Sequence, residues 1–190
     1  MSESLAPMQA RHAAPTPRVP LLPGRMPGPL PIRMLGRVVD WAVIGMGAVM
    51  VVLVFSNVLL HVVDRDMAWT TELGEFLMVW VSFFGGAAAT QRGGHMAITE
   101  FVNKLSPRAR LRADFVLQAF SLVVVGSLMF YGWRLVQGNW GNELTVLEWP
   151  MAYQYMGMAL GSTAMAVFLG FDLVQIARGV PRDERYPAES

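Results

Sequence analysis

Residues 72–95 read ELGEFLMVWVSFFGGAAATQRGGH. Glu72 and Glu75 open the stretch, Arg92 and His95 close it, and nothing between Glu75 and Arg92 is charged. As a helix rising 1.5 Å per residue, 72–92 is about 30 Å long, the thickness of the hydrocarbon core of a bilayer. A core helix of a soluble domain is rarely uncharged around its whole circumference for that distance. The stretch is therefore read as a membrane span, with its acids in one interface and a basic exit in the other. Three more uncharged runs follow the same pattern: 41–60, 115–133 and 151–171.

Composition agrees. The chain has 190 residues, of which 54% are hydrophobic and 15% charged, against about a quarter charged in ordinary soluble domains. A net charge of +1 makes no case for nucleic acid. The absence of cysteine excludes disulfides, thiolate catalysis and cysteine-ligated metals. These features imply an all-α integral membrane fold of four transmembrane helices, spanning about 40–62, 72–92, 112–135 and 150–174 within a membrane domain at 34–178.

Orientation follows from lysine and arginine, which gather on cytoplasmic segments. Five precede the first span, one (Arg65) lies in the first loop, and five (Arg92, Lys104, Arg108, Arg110, Arg112) lie in the second. One (Arg134) falls in the third loop and three (Arg178, Arg182, Arg185) in the tail. The alternation places both termini and the middle loop in the cytoplasm. Trp69, Trp133, Trp149, Tyr153 and Tyr155 then fall at the outer interface, where amphipathic rings prefer to sit. Trp80 lies deeper, about 12 Å along the helix from Glu72, and is read as packing on a neighbouring helix.

The connections carry further signals. Residues 1–33 hold eight of the twelve prolines and four arginines. Proline at that density opposes a packed helix, so 1–33 is expected to be a disordered cytoplasmic tail, with 179–190 a second tail. In the middle loop Ile98, Phe101, Val102 and Leu105 recur at helical spacing. That predicts a short amphipathic helix over about 96–105 lying on the membrane surface. The arginines that follow Ser106-Pro107 are read as an anchor to anionic lipid headgroups. Gly93-Gly94 lets the chain turn from the second span into that surface helix. Pro150 is placed to open the fourth span, where a missing N–H does no harm. Gly157 and Gly161 form a GxxxG pair, and Gly86 lies with Ser82 and Thr90 along one side of span two. Small residues let helices approach closely in lipid, either within the bundle or against another subunit.

Catalysis and cofactors find no support. Glu72 and Glu75 share a helix face, as acid–base or cation-binding pairs do, but both lie near the outer interface without a metal-ligand partner. Glu75, the deeper of the two, is the better candidate for a polar contact. His61 and His95 fall at opposite ends of the membrane and cannot ligate one haem iron. No acid or base lies in the middle of any span, where a carrier would need one. The chain is thus expected to be neither an enzyme nor a metal or cofactor protein, and to act by packing against a partner. A redox-complex anchor and a self-assembling channel or exporter are the competing readings.

Trp69-Thr70-Thr71-Glu72-Leu73, Trp80, Phe84-Gly85-Gly86, Arg92, Gly94-His95-Met96-Ala97-Ile98, then Leu147-Glu148-Trp149-Pro150 with Tyr153 and the glycines of span four, occur in an order that resembles the small permease subunit (DctQ-like) of tripartite ATP-independent periplasmic (TRAP) transporters. The likeness covers about 38–176 and departs from the family pattern at Glu148 and Trp149, where aliphatic residues are usual. The resemblance implies a secondary transporter of the bacterial inner membrane, usually sodium-driven, that imports organic acids such as C4-dicarboxylates. It implies two protein partners, a large permease subunit and a periplasmic solute-binding protein. The small subunit would scaffold the large one, with Glu72, Arg92 and His95 fixing the depth and exit of span two.

Overall fold

The structure, a computed structural model, describes residues 28–62, 68–93, 107–180 and 185–186. Four helices follow one another: α1 (Leu30–Val62), α2 (Ala68–Gln91), α3 (Pro107–Gly138) and α4 (Ala152–Ala177). Each is long and apolar enough to cross a membrane. Among the described residues the extended structure is a single isolated bridge, Glu143 with Pro150. The all-helical, four-span architecture read from the sequence therefore holds. The expected surface helix over 96–105, and His95 with it, lies outside the described residues.

The helix limits differ from the expected ones at several points. α1 begins at Leu30, inside the stretch assigned to a tail. Pro29 and Pro31 do not prevent this, because the first turn of a helix has no use for their missing N–H groups. The Pro29 carbonyl accepts the N–H groups of Ile32 (3.0 Å) and Arg33 (3.3 Å). α4 begins at Ala152 with Met151 as its N-cap residue. Pro150 thus stands just before the helix, and its carbonyl accepts the Tyr153 N–H at 3.1 Å.

The chain passes back and forth, so the ends of α1 (start), α2 (end), α3 (start) and α4 (end) share one pole, called here the terminal pole. The loop joining α3 to α4 lies at the other, the hairpin pole. α4 is the central element, packed on both α2 and α3, and α1 packs on α2. The tightest packing lies on α4, whose Ala159, Ser162 and Phe168 are fully buried. One core joins Val39 of α1, Ala87 and Ala88 of α2, Val125 of α3, and Ala164, Met165, Phe168 and Leu169 of α4.

Small residues make that approach possible. A Cβ added at Gly157 would stand 2.8 Å from Trp80 Cδ1 and 3.1 Å from its Cα. At Gly161 it would stand 2.6 Å from Phe83 Cβ and 2.8 Å from the Phe83 carbonyl carbon. Both glycines of the GxxxG pair are therefore occupied inside the bundle, holding α4 against the backbone of α2. Gly86 meets Met165 of α4 in the same seam. By contrast, the most apolar stretch of α1 has no buried residue at all, and Ile44, Val51, Val52, Phe55, Val58 and Leu59 are exposed along it.

Candidate functional site

Polar contacts concentrate at the two poles, and the stretch between them is deliberately quiet in hydrogen-bonding terms. The deep hydroxyls are absorbed by their own helices: Ser82 donates to the Met78 carbonyl (2.7 Å), Ser127 to Val123 (2.9 Å), Ser162 to Met158 (2.6 Å) and Thr163 to Ala159 (2.6 Å). Such i to i−4 bonds satisfy a hydroxyl where no water is present. Thr163 also accepts the Trp133 indole N–H at 3.2 Å, tying α3 to α4.

At the hairpin pole Glu72 is the organising residue. Its carboxylate accepts the backbone N–H of Val146 on both oxygens (2.9 and 3.0 Å) and that of Leu147 at 2.8 Å. The loop it holds folds on itself: Leu144 N–H donates to the Trp149 carbonyl (2.9 Å) and Met151 N–H to that of Asn142 (2.7 Å). Glu148 takes the left-handed conformation, φ +52°. A carboxylate gripping consecutive N–H groups makes charge-assisted bonds, stronger than neutral ones. Glu75, one turn further along α2, is exposed.

Trp80 sits at the centre of an aromatic ladder on α2. Its ring stacks on Phe76 (centroids 5.6 Å apart) and Phe84 (5.7 Å), and Trp149 from the loop meets Phe76 edge-on at 6.3 Å. The Trp80 indole N–H donates to the Tyr153 carbonyl at 3.0 Å. That carbonyl lies in the first turn of α4, so the bond links α2 to α4 beside Gly157. The Tyr153 ring packs edge-on against Trp140 at 5.6 Å. Glu72, Trp80, Pro150, Tyr153 and Gly157 are thus brought together around one loop, while Gly86 and Gly161 lie deeper in the same α2–α4 seam. On the other side of α2, Thr70 donates to Asn57 of α1 at 2.9 Å.

The terminal pole holds what sequence reading missed. Asp172 and Arg185 are fully buried and Asp114 nearly so. The Arg185 guanidinium donates through one nitrogen to both oxygens of Asp172, each at 2.8 Å, and through another to Asp114 at 3.4 Å. Arg185, within the 179–190 stretch read as a tail, enters the bundle and bridges α3 to α4. The physical reason is that two buried carboxylates demand a cation, and burial without one costs several kcal/mol per ion. Tyr186 follows it onto Gly93, where an added Cβ would lie 3.1 Å from the tyrosine ring. Gly93 has φ +71°, the conformation in which the chain leaves α2 and which glycine adopts without strain.

Arg92 is half-buried and donates to Asp40 of α1 at 2.8 Å. Next to it Gln91 is buried against Gly36, where any side chain would collide with its amide. Arg92 therefore joins the end of α2 to the start of α1. A signal for this pole does exist in the sequence. Asp40, Asp114 and Asp172 each fall one residue outside an uncharged run, at the pole where arginine predominates.

Four helices long and apolar enough to cross a membrane, with their deep hydroxyls bonded to their own backbones, define a multi-pass α-helical membrane protein. Its family can be stated more closely: residues 50–179 match the model of the DctQ component of tripartite ATP-independent periplasmic transporters, and the chain belongs to that family. It is 28% identical over 139 residues to the sialic acid TRAP transporter small permease protein SiaQ of Vibrio cholerae, covering 71% of this chain and 80% of that one. A protein of Haemophilus influenzae named as a TRAP transporter small permease is 25% identical over 123 residues, 64% of this chain and 76% of its own. An uncharacterized protein of Sinorhizobium fredii, y4mM, is 30% identical over 145 residues, which are 72% of this chain but 26% of that protein. The chain is thus a TRAP transporter small permease of the inner membrane, a transport component by family.

Proposed function

We propose that this chain is the static scaffold of a TRAP transporter, bracing a large permease subunit while that subunit carries an organic acid, such as a C4-dicarboxylate, coupled to ion entry. A periplasmic binding protein delivers the solute to the hairpin pole, and both termini lie in the cytoplasm. The observation that carries the reading is the disposition of polar groups. The ionisable side chains buried in the described residues are paired at the terminal pole, and the deep hydroxyls bond to their own helices. Little in the interior is left to receive a solute or an ion. The bare apolar stretch of α1 supports a second protein on that side. The arginine alternation supports the orientation, and the name of the Vibrio cholerae relative keeps sialic acid among the carboxylates to be tried.

The test is reconstitution. The chain expressed alone and placed in vesicles should move no dicarboxylate or sialic acid under an inward sodium gradient. Co-expressed with a large TRAP permease subunit, the chain should co-purify in mild detergent. Vesicles holding both, supplied with the loaded binding protein, should show uptake. Uptake by this chain alone would refute the scaffold reading.

A further inference from the structure

At the terminal pole acids and bases are segregated by depth. Asp40, Asp114 and Asp172 are buried, turned inward onto Arg92 and Arg185. Arg33, Arg37, Arg112 and Arg178 are exposed. Among the described residues, the carboxylates of this pole are taken up by the interior and arginines are left exposed at its rim. Among the described residues no carboxylate pairs with Arg112.

Between the start of α3 and the end of α4 lies a groove of about 410 Å³, lined by Leu111, Arg112, Phe115, Val116, Ile176 and Ala177. Among the described residues that line it, Arg112 is the polar one. Leu111 is the first residue of the third candidate span and Ala177 the last of the fourth. The groove therefore opens where hydrocarbon gives way to headgroups. Its wall on α3, residues 111–116, is about 7.5 Å long, little more than one turn. A partner helix needs a longer face to dock, whereas the upper part of one acyl chain fits such a length, with a phosphate at the arginine.

We propose that this groove binds one anionic glycerophospholipid, its acyl chain against Phe115, Val116 and Ile176 and its phosphate on the Arg112 guanidinium. The planar guanidinium matches two phosphate oxygens at once. Arg178, one residue beyond Ala177 and exposed, adds to the attraction. Asp114 would cancel it if it faced outward. The buried Arg185 prevents that, so the ion cluster and the lipid site are two consequences of one arrangement.

Native mass spectrometry of the full chain in mild detergent tests this, with phosphatidylglycerol and phosphatidylcholine of identical acyl chains as probes. Wild type should retain one phosphatidylglycerol at least about fivefold more tightly than phosphatidylcholine, the effect of one juxtamembrane cation. Arg112→Gln, at an exposed position, should abolish that preference, and Arg112→Lys should keep most of it. Val116→Trp, which fills the groove, should weaken both lipids. Equal binding of the two lipids to wild type would overturn the proposal, as would an intact preference in Arg112→Gln or unchanged retention in Val116→Trp. A photo-crosslinking amino acid at Val116 in cells should yield a lipid adduct; a protein adduct instead would assign the groove to a partner.

Discussion

Arg185→Ala strikes the one cation that two aspartates share. In wild type the guanidinium is fully buried, at 2.8 Å from both oxygens of Asp172 and 3.4 Å from Asp114. Its removal leaves Asp114 and Asp172 facing each other without a counter-ion in the interior. Breaking a buried pair in this way costs about 3–5 kcal/mol, a fifth or more of the about 5–15 kcal/mol that holds a typical domain folded. For a chain of this size each kcal/mol lowers Tm by about 2–4 °C. The variant should therefore melt about 6–20 °C below wild type, read by tryptophan fluorescence of the purified chain in detergent. Truncation after Val180 should reproduce the loss. Adding Asp114→Asn and Asp172→Asn to Arg185→Met should recover at least half of it, because an uncharged cluster no longer needs a cation. A drop under 2 °C, or a triple variant no better than the single, would refute the buried ion cluster.

Three other outcomes follow from the same geometry. Gly161→Leu should overpack the α2–α4 seam at about 1–3 kcal/mol or more, because the added atoms meet the Phe83 backbone. Gly86→Ala should cost less, since it meets only the flexible end of Met165; chemical unfolding in mixed micelles would rank them. Glu72→Gln loses the charge on three hydrogen bonds, each of the class worth about 1.5–3 kcal/mol. Hydrogen exchange at the Val146 and Leu147 amides should then rise at least tenfold while exchange inside α4 stays unchanged. Arg92→Ala severs the tie to Asp40 of α1 and, on the scaffold reading, should lower assembly with the large subunit and uptake by the same factor. Lost uptake in an intact complex would instead give Arg92 a direct part in transport.

The legible and illegible parts of this protein divide by sequence distance. Glu72 and Trp80 stood out in the sequence, the first as an interfacial acid and the second as an aromatic too deep for the interface. Their partners did not. The Val146 and Leu147 amides lie 74 and 75 residues from Glu72, and the Tyr153 carbonyl lies 73 from Trp80. Backbone donors and acceptors are also the same in every residue, so composition cannot mark them. The glycines at 157 and 161 announced close packing but fitted two neighbours equally well. The answer, α2, follows from α4 being the element on which the others converge. Arg185 gave least warning, since an arginine in a short polar tail is ordinarily solvated.

By itself the sequence determined that this chain is all-helical and has four helices long and apolar enough to cross a membrane. Those facts depend on local apolar length and on the requirement that backbone groups in lipid bond within their own segment. Tertiary structure alone decided which aspartates are buried, which arginine neutralises them, and which face of α4 receives α2. These depend on groups far apart in the chain meeting at one depth, where a charge without a partner is too costly to keep and a glycine is the only residue thin enough to admit a neighbour.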